Sequence, residues 1–124
     1  MSDMKEYTGH YSYTGKYKQR EDGSRLLEVS EFVYEGKYYQ PAEPLKFIFR
    51  NHPEEGGWVS VDCDEIAGTN GGLNIEEALG NAIMDAAHLY EHLIFSESPL
   101  TKRAAAMRDK LKKWMVHDID SKAQ

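Results

Sequence analysis

The feature that most constrains this chain is a single 3.6-residue stripe in its second half. Ile75, Leu79, Ala82, Ile83, Ala86, Leu89, Tyr90 and Leu93 recur at helical spacing over residues 75–95, which predicts one long helix with a single apolar face. Asn74 stands at the N-cap position, and Glu77 three residues later completes a capping-box-like start. Ser96 to Pro99 ends the helix. A helix with one apolar face must lay it on something, and the rest of the sequence supplies strands.

Tyr7, Gly9, Tyr11, Tyr13, Gly15 and Tyr17 all occupy odd positions. That alternation puts one aromatic face on a strand. Residues 20–24, with Asp22-Gly23, read as a turn. Residues 26–34 form the return strand, with Leu27, Val29 and Val33 on one side and Leu26, Phe32 and Tyr34 on the other. Apolar on both faces, it suits the centre of a sheet. Glu35-Gly36-Lys37 turns the chain, and Pro41 and Pro44 bracket an extended connector. Residues 45–50 read as a strand with Leu45, Phe47 and Phe49 facing inward. Across a polar loop at 51–57, residues 58–63 form its antiparallel partner, with Val59, Val61 and Cys63 sharing a face. Residues 64–74 contain three glycines and read as a turn, a short strand and another turn. Ser98 and Pro99 open a second helix, expected over 99–116, with Leu100, Ala104, Met107, Leu111 and Trp114 or Met115 as its stripe.

The expected architecture is therefore α+β: an antiparallel sheet carrying a long helix, followed by a C-terminal helix. With 124 residues the chain is expected to form one domain. It comprises an N-terminal β-hairpin extension (1–44), a β-β-β-α core (45–98) and the C-terminal helix (99–116). No apolar run is long enough for a transmembrane helix, and the N-terminus lacks the pattern of a signal peptide. The one cysteine, Cys63, excludes an internal disulfide and suits the reducing cytoplasm, the expected location. It reads as a small buried hydrophobe.

Charge is unevenly placed. Residues 45–99 carry ten Asp/Glu against two Lys/Arg, whereas residues 100–124 carry seven Lys/Arg against three Asp/Glu. The middle of the chain should repel nucleic acid and attract a basic partner.

Within residues 45–95, Gly57-Trp58-Val59, Glu65-Ile66-Ala67-Gly68, Gly72-Leu73-Asn74 and the helix opening from Ile75 to Ala82, read Ile-Glu-Glu-Ala-Leu-Gly-Asn-Ala, resemble the HicB-like antitoxin domain. The segment departs from that pattern in its turn, where Asp64 and Ala67 replace prolines, and at Thr69, which replaces a common cysteine. The resemblance implies a strand-strand-strand-helix fold like a reduced ribonuclease H core, and a non-catalytic role: neutralising a small basic RNA-cleaving toxin by docking on it. The partner surface expected on this reading is acidic, formed by Asp62, Asp64, Glu65, Glu76 and Glu77. Homodimerisation is expected through strand edges. A DNA-binding module, which needs at least two further helices, is not carried over, since residues 100–124 offer one. The alternative is a structural or regulatory protein that shares the fold and has no toxin partner. The N-terminal forty residues, which lie outside the family pattern, favour it.

A third reading is hydrolytic. His88-Leu89-Tyr90-Glu91-His92 matches the H-x-x-E-H pattern of inverted zinc proteases. Both histidines lie opposite the apolar stripe, and the chain offers no obvious third ligand, so His88 and His92 are read as exposed residues open to adventitious zinc or nickel. Asp62, Asp64 and Glu65 do not converge with a carboxylate from residues 45–50, as a two-metal nuclease would need. No catalytic residue and no cofactor is expected. Lys16, Lys18 and Arg20 interleave with the tyrosines, a composition that can bind single-stranded nucleic acid. In a slightly acidic segment, the tyrosines read instead as the cover of a sheet face.

Overall fold

In a computed structural model of the chain, the described residues are 3–7, 11–66 and 68–119. Among the described residues, eight strands form one antiparallel sheet: β1 (Asp3–Tyr7), β2 (Tyr11–Gln19), β3 (Arg25–Tyr34), β4 (Lys37–Gln40), β5 (Leu45–His52), β6 (Trp58–Cys63), β7 (Gly68–Gly72) and β8 (Met115–Asp118). The main path is β1-β2-β3-β5-β6-β7, with β4 branching from β3 and β8 pairing with β4. The described residues also form two α-helices, α1 (Ile75–Ile94) and α2 (Lys102–Leu111). The class is α+β, as the patterning implied.

The tyrosine alternation resolves into a hairpin where a single strand was expected. β1 and β2 pair with Tyr7 opposite Tyr11, and residues 8–10, with Gly9 and His10, lie outside the described residues. On β2 the aromatic face is as read: Tyr11 and Tyr13 are buried, while Tyr17 runs off the end of the core, 46% exposed. Exposed Lys16 and Lys18 lie on the opposite face of β2, so tyrosines and lysines do not share one stacking surface.

β3 corrects the simple alternation. The β2–β3 register shifts between Thr14 and Gly15, whose partners are Glu31 and Val29, leaving Ser30 as the extra residue of a β-bulge. A bulge reverses the side-chain phase. Phe32, expected across the strand from Leu27 and Val29, joins them instead, and all three are fully buried. Val33 moves to the other face. Gly15 belongs to the same device, because a Cβ there would sit 2.6 Å from the Glu28 carbonyl oxygen.

β3 is central, as expected, and one of its edges is shared by two strands. Residues 32–34 pair with β4 and residues 25–29 with β5. Residues 41–44 are left between β4 and β5, and Pro41 and Pro44 within them have no N–H for a ladder. The split frees β4 to pair with β8. The turn from β3 to β4 has positive φ at both central residues, Glu35 (51°) and Gly36 (79°), the type I′ geometry that matches strand twist. The N-terminal segment is thus built into the sheet, with β3 between β2 and β5.

From β5 onward the expected register holds. Leu45, Phe47 and Phe49 of β5 and Val59, Val61 and Cys63 of β6 are all buried, with Phe49 opposite Val61, and α1 lies on this face with Ala78, Leu79, Ala82, Ile83, Ala86, Ala87 and Leu93 buried. Asn74 Oδ1 accepts from the Glu77 N–H at 2.8 Å, and the Glu77 carboxylate reaches back to the Leu73 N–H at 2.7 Å. Two close approaches seat the helix: Tyr11 lies against Gly80, and β7 meets the first turn at Gly72, where a Cβ would fall 2.6 Å from the Ala78 nitrogen.

The C-terminal helix is shorter than expected. It spans Lys102–Leu111, and Thr101 is its N-cap, accepting from the Ala104 N–H at 3.1 Å. Residues 99–101 precede it. Residues 115–118 become β8 because Val116 and its neighbours find ladder partners on β4, with Tyr39 opposite Val116. Strand pairing at a distance overrides the local stripe. Leu111 is the buried residue of α2, and Trp114 stacks on Tyr90 (centroids 5.8 Å) and meets the Phe32 ring edge-on at 6.2 Å.

Candidate functional site

Glu65 is the centre of the candidate site. It belongs to a short 3₁₀ turn, Asp64–Ile66, that closes β6. Its carboxylate accepts from the Lys46 backbone N–H at 3.3 Å and from Cys63 Sγ at 3.4 Å. Ile66 anchors the turn in the core, so Asp64 is held exposed. Asp62, one step back on β6, points to the sheet face away from α1. It accepts from Thr69 Oγ1 at 3.0 Å and pairs with Arg50 at 3.4 Å. Among the described residues no helix covers that face. Across it run the rows Lys16–Glu28–Lys46 and Lys18–Leu26–Ile48–Asp62–Thr69.

Asp62, Asp64 and Glu65 therefore lie within four residues of one another at the end of β6. Glu76 and Glu77 do not join them. Gly72 lies opposite Val59 and Thr69 opposite Asp62, so the start of α1 is at the other end of β6, about 10 Å along the strand at ~3.3 Å per residue. Glu77 is also engaged in capping, as described above.

Two clefts flank Glu65. One, of about 180 Å³, opens on the uncovered sheet face between Arg20, Leu26, Lys46, Ile48, Asp64 and Glu65. The other, of about 270 Å³, lies between the 41–44 connector with the start of β5, Glu65, and the end of α2 with the segment after it, and is lined by Ala42, Glu43, Leu45, Lys110, Leu111, Lys113 and Trp114. Sequence reading missed this second cleft. It depends on where α2 stops, and the stripe carried the helix past Trp114.

Cys63 is buried and its thiol is pushed up to about 12 by burial, with the Glu65 carboxylate adding to the effect. It is a poor nucleophile. From an ordinary value of 9.0, the thiol in unfolded chains ionises first as pH rises, so between about pH 9 and 12 the unfolded state binds fewer protons than the native one. Stability is expected to fall with rising pH across that window. Tyr38, raised to about 12 mainly by its hydrogen bond to Glu31, and Tyr39, raised by burial and by Glu91, act in the same sense above pH 10. Urea midpoints at pH 8 and pH 11 test this. Cys63→Ala should reduce the alkaline loss, and an equal loss in both proteins would rule out the thiol as a source.

His88 and His92 are exposed on α1, and His88 meets the edge of the Tyr34 ring at 5.6 Å. Among the described residues no three His, Cys, Asp or Glu side chains cluster as metal ligands would. Phe95, at the C-cap of α1, is 64% exposed, with the Lys37 ammonium 5.9 Å from its ring. That ammonium also pairs with Glu91 at 2.9 Å. His52 stacks on Trp58 (4.1 Å) and its Nε2 lies 2.9 Å from Ser60 Oγ. Glu55 is 3.9 Å from Nδ1, too far for the hydrogen bond that orients a catalytic histidine.

No protein-family model, curated protein or solved structure matches the chain. What the fold and site define is an α+β protein: a curled antiparallel sheet with α1 on one face, and Asp62, Asp64 and Glu65 at the end of β6. No helix among the described residues is long and apolar enough to cross a membrane.

Proposed function

We propose that the chain is a non-catalytic protein-binding module of the HicB-like antitoxin kind, docking a small basic RNA-cleaving toxin on the carboxylates at the end of β6. The observation that carries this reading is the consecutive β5-β6-β7 meander followed directly by α1, the element order that the sequence resemblance implies. The exposed carboxylate of Asp64, with Asp62 and Glu65 beside it, supports docking of a basic surface. Self-association through strand edges would favour β1 or β8. At β7 the Gly71 N–H already donates to Asn70 Oδ1 (2.8 Å), and its carbonyl accepts from Asn81 Nδ2 (2.9 Å), which blunts that edge.

The tagged protein, purified from an extract of its native cell, is expected to retain a stoichiometric small basic protein whose RNA cleavage it suppresses. Asp62→Asn with Asp64→Asn is expected to slow association and flatten its salt dependence. Recovery as a homo-oligomer without such a partner would overturn the antitoxin reading. It would leave the second one, a structural or regulatory protein of this fold. The position of β3 between β2 and β5 favours that alternative, since it makes the N-terminal segment integral to the sheet.

A further inference from the structure

We propose that the cleft beside Trp114 binds a small zwitterion of amino-acid size with an apolar side chain. The inference goes beyond the partner reading and does not rest on it. The cleft shares Glu65 with the acidic surface assigned to a protein partner, while Lys110, Lys113 and Trp114 lie outside that surface.

Three observations point to this ligand. The cleft holds about 270 Å³, just below the range of drug-sized sites at roughly 300–1,000 Å³, so its occupant is small. Its apolar lining, Leu45, Leu111 and Trp114, comes from elements held rigidly by the core, since Leu45 and Leu111 are each 1% exposed and Trp114 is fixed by its stack on Tyr90. Its charges are segregated by origin. Glu43 and Glu65 line it from the connector and the turn, Lys110 from the end of α2 and Lys113 from the segment just after it; the second Glu65 carboxylate oxygen stands beside the one that accepts from Lys46 and Cys63. Among the described residues no ion pair joins the two sets.

A ligand with one positive and one negative group satisfies both sets at once. A ligand bearing a single charge gains from one set and is repelled by the other. The apolar lining then selects a side chain of leucine or phenylalanine type, whose burial adds to the charge pairing.

The chain has two tryptophans, and Trp58 lies away from this cleft, stacked on His52. Full-length protein carrying Trp58→Phe therefore reports the cleft through Trp114 fluorescence. L-leucine is expected to give a saturable change at millimolar concentration or below, with N-acetyl-leucine and leucine amide, which keep one charge each, at least about tenfold weaker. Lys110→Gln with Lys113→Gln, both exposed positions, should lose the preference for L-leucine over its amide. A thermal-shift titration of the wild-type chain provides the second readout. No saturable response to L-leucine or L-phenylalanine up to about 10 mM would overturn the proposal. So would equal responses to the zwitterion and to either singly charged analogue.

Discussion

Phe32→Ala is expected to destabilise the protein by about 3–5 kcal/mol, and its neighbour Val33→Ala by less than about 1 kcal/mol. Phe32 is fully buried, stacked on Tyr39 at 4.8 Å and edge-on to Trp114. It ties the β3–β4 hairpin to the C-terminal segment. Small domains hold about 5–15 kcal/mol in total, so this one truncation removes a large share. Urea unfolding of the two variants tests the bulge directly. Without the extra residue at Ser30, Val33 would share the core face with Leu27 and Val29, and the two effects would trade places. Equal or reversed losses would contradict the register.

Leu111→Ala should cost about 2–5 kcal/mol, against no more than about 0.5 kcal/mol for Met115→Ala at a 60% exposed position. Leu111 is the buried contact of α2, and β8 begins four residues later. Its loss should therefore appear first as local opening, with faster amide exchange at residues 115–118 than in the β3–β5 ladder. A loss below about 1 kcal/mol with unchanged exchange would mean that α2 is held by something other than this side chain. The two predictions are coupled through Trp114. It lies three residues beyond Leu111 and against Phe32, so the double variant is not expected to be additive.

The candidate site was legible only in part. Asp62, Asp64 and Glu65 are close in sequence and fall together because a strand end and a 3₁₀ turn keep neighbours near each other. Glu76 and Glu77 share their charge and little else, since the length of β7 separates them from the turn. Cys63 was readable as buried from its alternation with Val59 and Val61. The Trp114 cleft was not readable, because it joins residues 42–45, 65 and 110–114, whose meeting no local pattern records.

The same division runs through the fold. The α1 stripe, its Asn74 cap, the inward faces of β5 and β6 and the turn at Glu35-Gly36 follow from local periodicity and φ/ψ preference. Sequence alone determined these, because each is settled within one turn or one strand. The bulge at Ser30, the division of one β3 edge between β4 and β5, and the conversion of residues 115–118 from expected helix to β8 are decided by tertiary structure. Each depends on which backbone groups lie opposite in the sheet. A hydrogen-bond ladder between distant segments outweighs the small free-energy differences that local propensity provides.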